Sequence, residues 1–330
     1  MNFQSYIIKK SKIKLMLKNF KPILIVAGDP HSVFLEIFFK SLKRSKFKSP
    51  LILLVNKKVL LNQLRKLNYR FGIKKLEINN INYKKLDNNK INFLNIPFKK
   101  KLVNQYVNLS FEIALSILKK NNKISLINGP INKKKILKDK FLGITEYLDN
   151  KTKSKGKVAM LIYNKDLSVS PITTHLPLKK VHKFINKTKI VNHVKLINKF
   201  YQKKFKKKPN IGITGLNPHC ESNLFPSEED MIIKPAIKYL LKNKYNVSGP
   251  YPADTIFLKD KLKKFDVIIG MYHDQVLAPV KSIFGFRAIN ITLGLPFIRV
   301  SPDHGPNVEM FLKNKSNPDS LIEAIKFLDK

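Results

Sequence analysis

Cysteine is nearly missing from this chain: Cys220 is the single one in 330 residues. No intrachain disulfide can form, and a reducing cytoplasm is the simplest home for such a protein. Apolar runs approaching the ~20 residues of a membrane span are missing too, so no membrane partner is expected. Acidic residues are scarce, 22 against 64 Lys and Arg, which leaves a formal net charge of +42. Arginine is equally scarce: Arg44, Arg65, Arg70, Arg287 and Arg299 are the only ones. A nucleic-acid surface would use Arg beside Lys and gather both into one patch, whereas these lysines spread over the first 300 residues. Asn, Ile and Phe are also abundant and share A/T-rich codons with Lys. The excess therefore reads as composition bias on solvated surfaces, with no nucleic-acid partner, although the field it creates favours anionic substrates. Internal repeats and low-complexity linkers are absent, apart from a Lys/Asn-rich surface at 83–90. Residues 1–20 read as an N-terminal extension without the Arg and Ser of a transit peptide or the apolar core of a secretory signal. Met16 is an alternative start, because Lys21 already opens the folded pattern.

What the sequence does have is alternation. Strands are expected near 22–27, 51–55, 76–78, 91–94, 124–127, 158–163, 167–173, 211–214, 267–269, 289–292 and 297–300. Helices are expected over 33–42, 57–67, 102–118, 187–204, 229–243 and 319–328, and one is expected to open at Asp254. Strands alternating with helices argue an α/β fold with a mostly parallel sheet, and this length normally makes two domains. Val267 to Ile269 reads as a buried strand that runs out into a polar turn holding His273, Asp274, Gln275 and Lys281. In open α/β sheets, ligands bind beyond the carboxyl ends of the strands.

Three of the seven histidines share such an address. His175, His219 and His273 each follow a strand within a few residues, beside Pro, Asn or Asp. Neutral imidazole suits Zn²⁺ and its neighbours, and a catalytic site takes three protein ligands plus an open position. Only the fold could gather residues so far apart in sequence, and by spacing alone unrelated loop histidines remain the plainer reading. His182 and His193 sit in Lys-rich helical stretches and read as surface residues. His31 and His304, at strand-end turns, stay open.

Six stretches carry a resemblance. They are Thr174-His175-Leu176-Pro177-Leu178, Gly215-Leu216-Asn217-Pro218-His219, Gly249-Pro250-Tyr251-Pro252-Ala253-Asp254-Thr255, Met271-Tyr272-His273-Asp274-Gln275, Asn290-Ile291-Thr292-Leu293-Gly294-Leu295-Pro296 and Ser301-Pro302-Asp303-His304-Gly305. In that order, from about residue 22 onward, the chain resembles the 4-hydroxythreonine-4-phosphate dehydrogenase family of vitamin B6 biosynthesis. The resemblance implies the isocitrate/isopropylmalate dehydrogenase-like fold, two α/β domains around a mostly parallel sheet with the active-site cleft between them. The domains are expected at 21–138 plus 298–330 and at 139–297, the second carrying the metal ligands and the dimer interface. It further implies one divalent metal per subunit (Zn²⁺, Mg²⁺ or Co²⁺) on His175, His219 and His273. Substrate contacts are implied at Thr145, Lys281, Asn290 and Arg299. NAD or NADP is the implied hydride acceptor, bound without a G-x-G-x-x-G stretch, which this chain lacks; its contacts are not assigned. A homodimer with a shared active site is implied as well.

The chemistry fits these residue types. A secondary alcohol must lose a proton and a hydride, and a metal on that hydroxyl lowers its pKa. The β-keto acid formed then decarboxylates. Lys281 and Arg299 suit the phosphate and carboxylate of a small phosphorylated hydroxy-amino acid. Asp254 and Asp274 are candidates for general base or for orienting a ligand His, against a plain reading as cap or turn residues. Departures from the family pattern fall in its loops. The first loop reads Gly28-Asp29-Pro30-His31-Ser32-Val33-Phe34-Leu35-Glu36, two glycines short. The run after His219 is Cys220-Glu221-Ser222-Asn223-Leu224-Phe225-Pro226, and Asp303-His304-Gly305 continues as Pro306-Asn307. Ile144 stands where the family has a substrate-contacting His. A paralogue acting on threonate or erythronate 4-phosphate, or a basic binding protein on this scaffold, are the competing readings.

Overall fold

The computed structural model describes residues 20–121, 123–131, 141, 143–154, 157–221, 226–285, 288–302 and 305–329. Most of the expected N-terminal extension, Lys133, Arg287, Asp303, His304 and residues 222–225 of the altered run lie outside them. In chain order come β1 (Ile23–Val26), α1 (Phe34–Arg44), β2 (Leu51–Val55), α2 (Lys57–Lys66), β3 (Ile73–Leu76), β4 (Ile91–Asn95), α3 (Val103–Lys120) and β5 (Ser125–Asn128). Next are α4 (Ile144–Thr152), β6 (Ala159–Tyr163), β7 (Ser168–Thr173), α5 (Lys187–Phe205) and β8 (Ile211–Thr214). Then follow α6 (Lys234–Lys242), β9 (Val247–Tyr251), β10 (Val267–Tyr272), α7 (His273–Phe284), β11 (Ile289–Leu293), β12 (Arg299–Pro302) and α8 (Asp319–Leu328). None of the helices among the described residues is long and apolar enough to cross a membrane. The chain divides into two compact units, Met1–Ile136 with Phe297–Lys330, and Leu137–Pro296.

The first unit holds parallel strands in the order β3-β4-β2-β1-β5-β12. Ile23, Leu24, Ile25 and Val26 are all fully buried, as a strand covered on both faces must be. α2 starts where Asn56 accepts from the amides of Lys58 (3.0 Å) and Val59 (3.3 Å). α1 carries a buried lock. Glu36 accepts from Lys40 Nζ (2.9 Å) and from the backbone amides of Ser316 (2.7 Å) and Asn314 (3.2 Å), tying the helix to the segment before α8. Gly28 (φ 79°) brings the turn after β1 against Pro130, whose carbonyl oxygen would lie 2.4 Å from an added Cβ. Only glycine fits there.

In the second unit the order is β11-β6-β7-β10-β8-β9. β7, β10, β8 and β9 are parallel, and β6 runs antiparallel to both β11 and β7. Successive residues of β7 face opposite sides. Ser168 meets the Tyr201 hydroxyl of α5 (2.9 Å), while Val169 joins Ile268, Val276, Leu277 and Val280 in the core under α7. α5 and α7 thus cover opposite faces.

Several expectations need correcting. His193 is buried: it lies in the stripe Ile190, Val194, Ile197, Tyr201 that α5 lays on the sheet, while Lys195 and Lys199 are exposed and Lys189, one turn before it, is half-buried. β10 extends to Tyr272 and meets no polar turn, because His273 begins α7 directly. Asp254 opens no helix; it sits in an exposed turn, and a single helical turn forms only at Lys259–Leu262. The helix expected from 229 begins as a π-turn, Glu229–Ile233, before α6. β3 ends at Leu76, and β12 starts at Arg299, not Phe297. Unanticipated were β9, whose Pro250 is tolerated on an edge strand, and α4, which opens with the poor helix formers Ile144 and Thr145.

Candidate active site

β7, β10 and β8 are neighbours, so their carboxyl ends open on one edge of the second unit. The register sets Thr173 opposite Tyr272. His175 follows β7 by two residues and His273 follows β10 at once, and their rings meet with centroids 5.9 Å apart. Two imidazoles sharing one tetrahedral ion would have centroids roughly 5 Å apart, given metal–nitrogen bonds of about 2 Å. The pair is spaced for that with a small adjustment. Asp274 Oδ1 lies 2.6 Å from His273 Nδ1, which fixes the Nδ1–H tautomer and leaves the Nε2 lone pair available to a ligand. Gln275 stitches the edge together. Its Oε1 accepts from the Met271 amide (2.7 Å) and the Thr214 hydroxyl (2.9 Å), and its Nε2 donates to the Gly215 carbonyl (2.8 Å).

α4 adds a carboxylate to the same edge. Glu146 Oε1 accepts from the Thr174 hydroxyl (3.3 Å). Its Oε2 is buried and has no hydrogen-bond partner among the described residues. A Cβ on Gly143 would lie 3.0 Å from that Oε2, and 3.0 and 3.1 Å from Cε1 and Nδ1 of His175. Carboxylate and imidazole therefore crowd over one glycine. Lys189 of α5 stands nearby; burial lowers its ammonium pKa, and the Glu146 charge works in the other direction. Thr145 is buried and Ile144 half-buried at the start of this helix.

His219 is held differently. It is exposed on the loop after β8, with a left-handed φ of 57°, and Cys220 follows with 61°. Buried Glu229 pins the loop. Its Oε1 accepts from the amides of Leu216 (2.6 Å) and Asn217 (2.9 Å), and its Oε2 from Asn217 Nδ2 (2.8 Å), which also reaches Glu228 (2.9 Å). Burial alone would raise the Glu229 carboxyl, but these hydrogen bonds outweigh it and hold the group below its ordinary range. The Cys220 thiol is pushed up, first by burial and then by the charges of Glu229 and Asp254. Asp254 therefore stands near this loop. Among the described residues no three His, Cys, Asp or Glu side chains are gathered to hold an ion, so within one chain His219 stays apart from the His175–His273 pair.

The remaining expected residues are dispersed. Lys281 is exposed in the last turn of α7. Asn290 lies on β11, its Oδ1 buried with no hydrogen-bond partner among the described residues. Arg299 belongs to the first unit, where it is 1% exposed and donates through Nε to Asn128 Oδ1 (2.7 Å). Sequence reasoning missed three residues that organise the edge: Glu146, Gln275 and Glu229. Each had a signal, since Gln275 closes one of the six stretches, Glu146 adjoins Thr145, and adjoining acids at 228–229 are conspicuous in so basic a chain.

A family model described as pyridoxal phosphate biosynthetic protein PdxA matches residues 46–328. The chain is 36% identical over 312 residues to the 4-hydroxythreonine-4-phosphate dehydrogenase of Sulfurihydrogenibium sp. (strain YO3AOP1), covering 92% of this chain and 96% of that protein. The protein of the same name from Aquifex aeolicus (strain VF5) is 33% identical over 317 residues, covering 94% and 98%. Among solved structures, 4-hydroxythreonine-4-phosphate dehydrogenase from Klebsiella pneumoniae matches with a TM-score of 0.79 at 27% identity, covering 93% of this chain and 98% of that one.

Proposed function

The chain belongs to the family of the pyridoxal phosphate biosynthetic protein PdxA, and from that premise we propose how its parts divide the chemistry. It is a dehydrogenase of pyridoxal phosphate biosynthesis that oxidises 4-phosphohydroxy-L-threonine. The 3-keto acid formed loses carbon dioxide to give 3-amino-2-oxopropyl phosphate, and NAD or NADP takes the hydride in the cytoplasm.

The observation that carries the site is the His175–His273 pair, with Asp274 on Nδ1 of one ring. His175, His273 and His219 would hold one divalent ion, Zn²⁺, Mg²⁺ or Co²⁺, which when bound polarises the substrate hydroxyl and steadies charge on its oxygen. Asp274 keeps His273 in one tautomer. Asp254 or Asp274 receives the proton that the hydroxyl gives up. Thr145, Lys281 and Asn290 bind the anionic and polar ends of the substrate, and the family resemblance gives Arg299 the same task.

Among the described residues His219 is not gathered with its own chain's pair, which supports a homodimer in which a second copy completes each site. Leu178, Phe184, Met231, Leu258 and Ile283 are exposed apolar side chains of the second unit. The test is turnover of 4-phosphohydroxy-L-threonine by purified protein with NAD or NADP and each ion in turn. Turnover that disappears on chelation and in His219→Ala is expected; wild-type rates in His219→Ala would overturn the ligand assignment. Ile144 favours one second reading, another 4-phosphorylated hydroxy acid such as threonate or erythronate phosphate. Those compounds belong in the same assay.

A further inference from the structure

Glu146 has no role in the scheme above, yet it occupies a costly position. A carboxylate oxygen shut away from water without a donor is destabilising unless something else uses it. Oε2 of Glu146 is such an atom, and the Nδ1–Cε1 edge of His175 crowds the same point over Gly143. The other member of the histidine pair shows the arrangement completed: Asp274 holds Nδ1 of His273 at 2.6 Å.

Charge balance points the same way. α5 runs antiparallel to β7, with Tyr201 at Ser168 and His193 at Pro171. Those intervals correspond, because eight helical residues rise about 12 Å and three strand residues about 10 Å. One more helical turn brings Lys189 level with Thr173 and Thr174, beside Glu146. It makes no ion pair there among the described residues, so its ammonium offsets the carboxylate's charge without taking up its oxygen.

We propose that Glu146 is the positioning residue for His175, accepting its Nδ1–H so that Nε2 is presented to the metal, with Thr174 holding the other carboxylate oxygen. This rests on the metal reading of the site. Both histidines of the pair would then be oriented by carboxylates, one from the adjacent residue and one from another element.

The test is Co²⁺ binding by the full-length protein, followed by titration and by the visible absorption of the bound ion. Glu146→Gln should weaken Co²⁺ binding by about 10- to 100-fold and shift the spectrum, with its thermal midpoint kept. Glu146→Asp should recover part of the loss. In a His175→Ala background Glu146→Gln should have no further effect, because both act through one ligand. If Glu146→Gln does not fold, Thr174→Val reads the same link, with an expected loss of about three- to tenfold. Co²⁺ affinity within twofold of wild type in both Glu146→Gln and Thr174→Val, or full additivity with His175→Ala, overturns the proposal. A wild-type protein that binds no Co²⁺, Zn²⁺ or Mg²⁺ overturns the metal reading itself, and the role of Glu146 with it.

Discussion

His193 should make the protein acid-sensitive in a defined window. The imidazole is 5% exposed, with Nδ1 3.1 Å from the Lys189 carbonyl and a second carbonyl, that of Pro171, also in contact. Burial, and after it the Lys189 ammonium, push its pKa down to about 4, against an ordinary value of 6.5. The folded value is the lower one, so between the two the unfolded chain binds more protons. Stability is therefore intact above the unfolded pKa and is lost as pH falls from there towards the folded one. The loss is about 2 kcal/mol at pH 5 and about 3 kcal/mol at pH 4. Urea unfolding of wild type and His193→Gln should be compared from about pH 7.5 to about pH 5. Glutamine can still donate to one carbonyl but cannot titrate, so the wild type should lose about 2 kcal/mol more than the variant over that range. Parallel pH dependence in the two proteins would refute the reasoning and mean that the folded ring protonates as readily as the free one.

Lys40→Met should strand buried Glu36 without its cation and cost about 3–5 kcal/mol in the same urea assay; a loss under 1 kcal/mol would show that the amides of Ser316 and Asn314 suffice. Glu229→Gln should loosen the His219 loop, read as labelling of Cys220 by a thiol reagent about tenfold faster than in wild type. Because the Glu229 carboxyl is held below its ordinary range, its hold on the loop is full above the unfolded value and fades only as pH falls through the lower, folded one. Gly129→Ala would place a Cβ 2.4 Å from the Ala27 carbonyl oxygen and 2.7 Å from the Phe34 ring. Soluble yield or thermal midpoint should fall sharply, and an unchanged midpoint would contradict that contact.

The parts legible in the sequence were those written locally. Buried strands such as Ile23–Val26 and Leu51–Val55 announce themselves as unbroken apolar runs, and the same kind of run marks the strand ends that His175 and His273 follow. What stayed hidden depends on who packs against whom. His193 reads as a surface residue because lysines surround it in sequence, while the helix exposes Lys195 and Lys199 and buries the imidazole. Glu229 gives no sign that its carboxylate reaches back twelve and thirteen residues to the amides of Asn217 and Leu216. β9 was masked by its proline and α4 by its β-branched start, where the tertiary setting overrides local preference.

The first unit begins the chain and is finished by its last residues. β12 pairs with β5, and α8 packs on α1 and β12, yet both emerge only after all of Leu137–Pro296 has been synthesised. On the ribosome, β1 to β5 must therefore wait with a sheet edge uncovered, while the uninterrupted second unit can complete its core first. The entropy of closing so long an excursion is modest, since each doubling of a loop adds only about 0.6 kcal/mol. Its effect falls on timing, because contacts this distant in sequence form late and leave strand edges open to misassembly meanwhile. Removing the C-terminal helix should accordingly damage the unit at the opposite end of the chain.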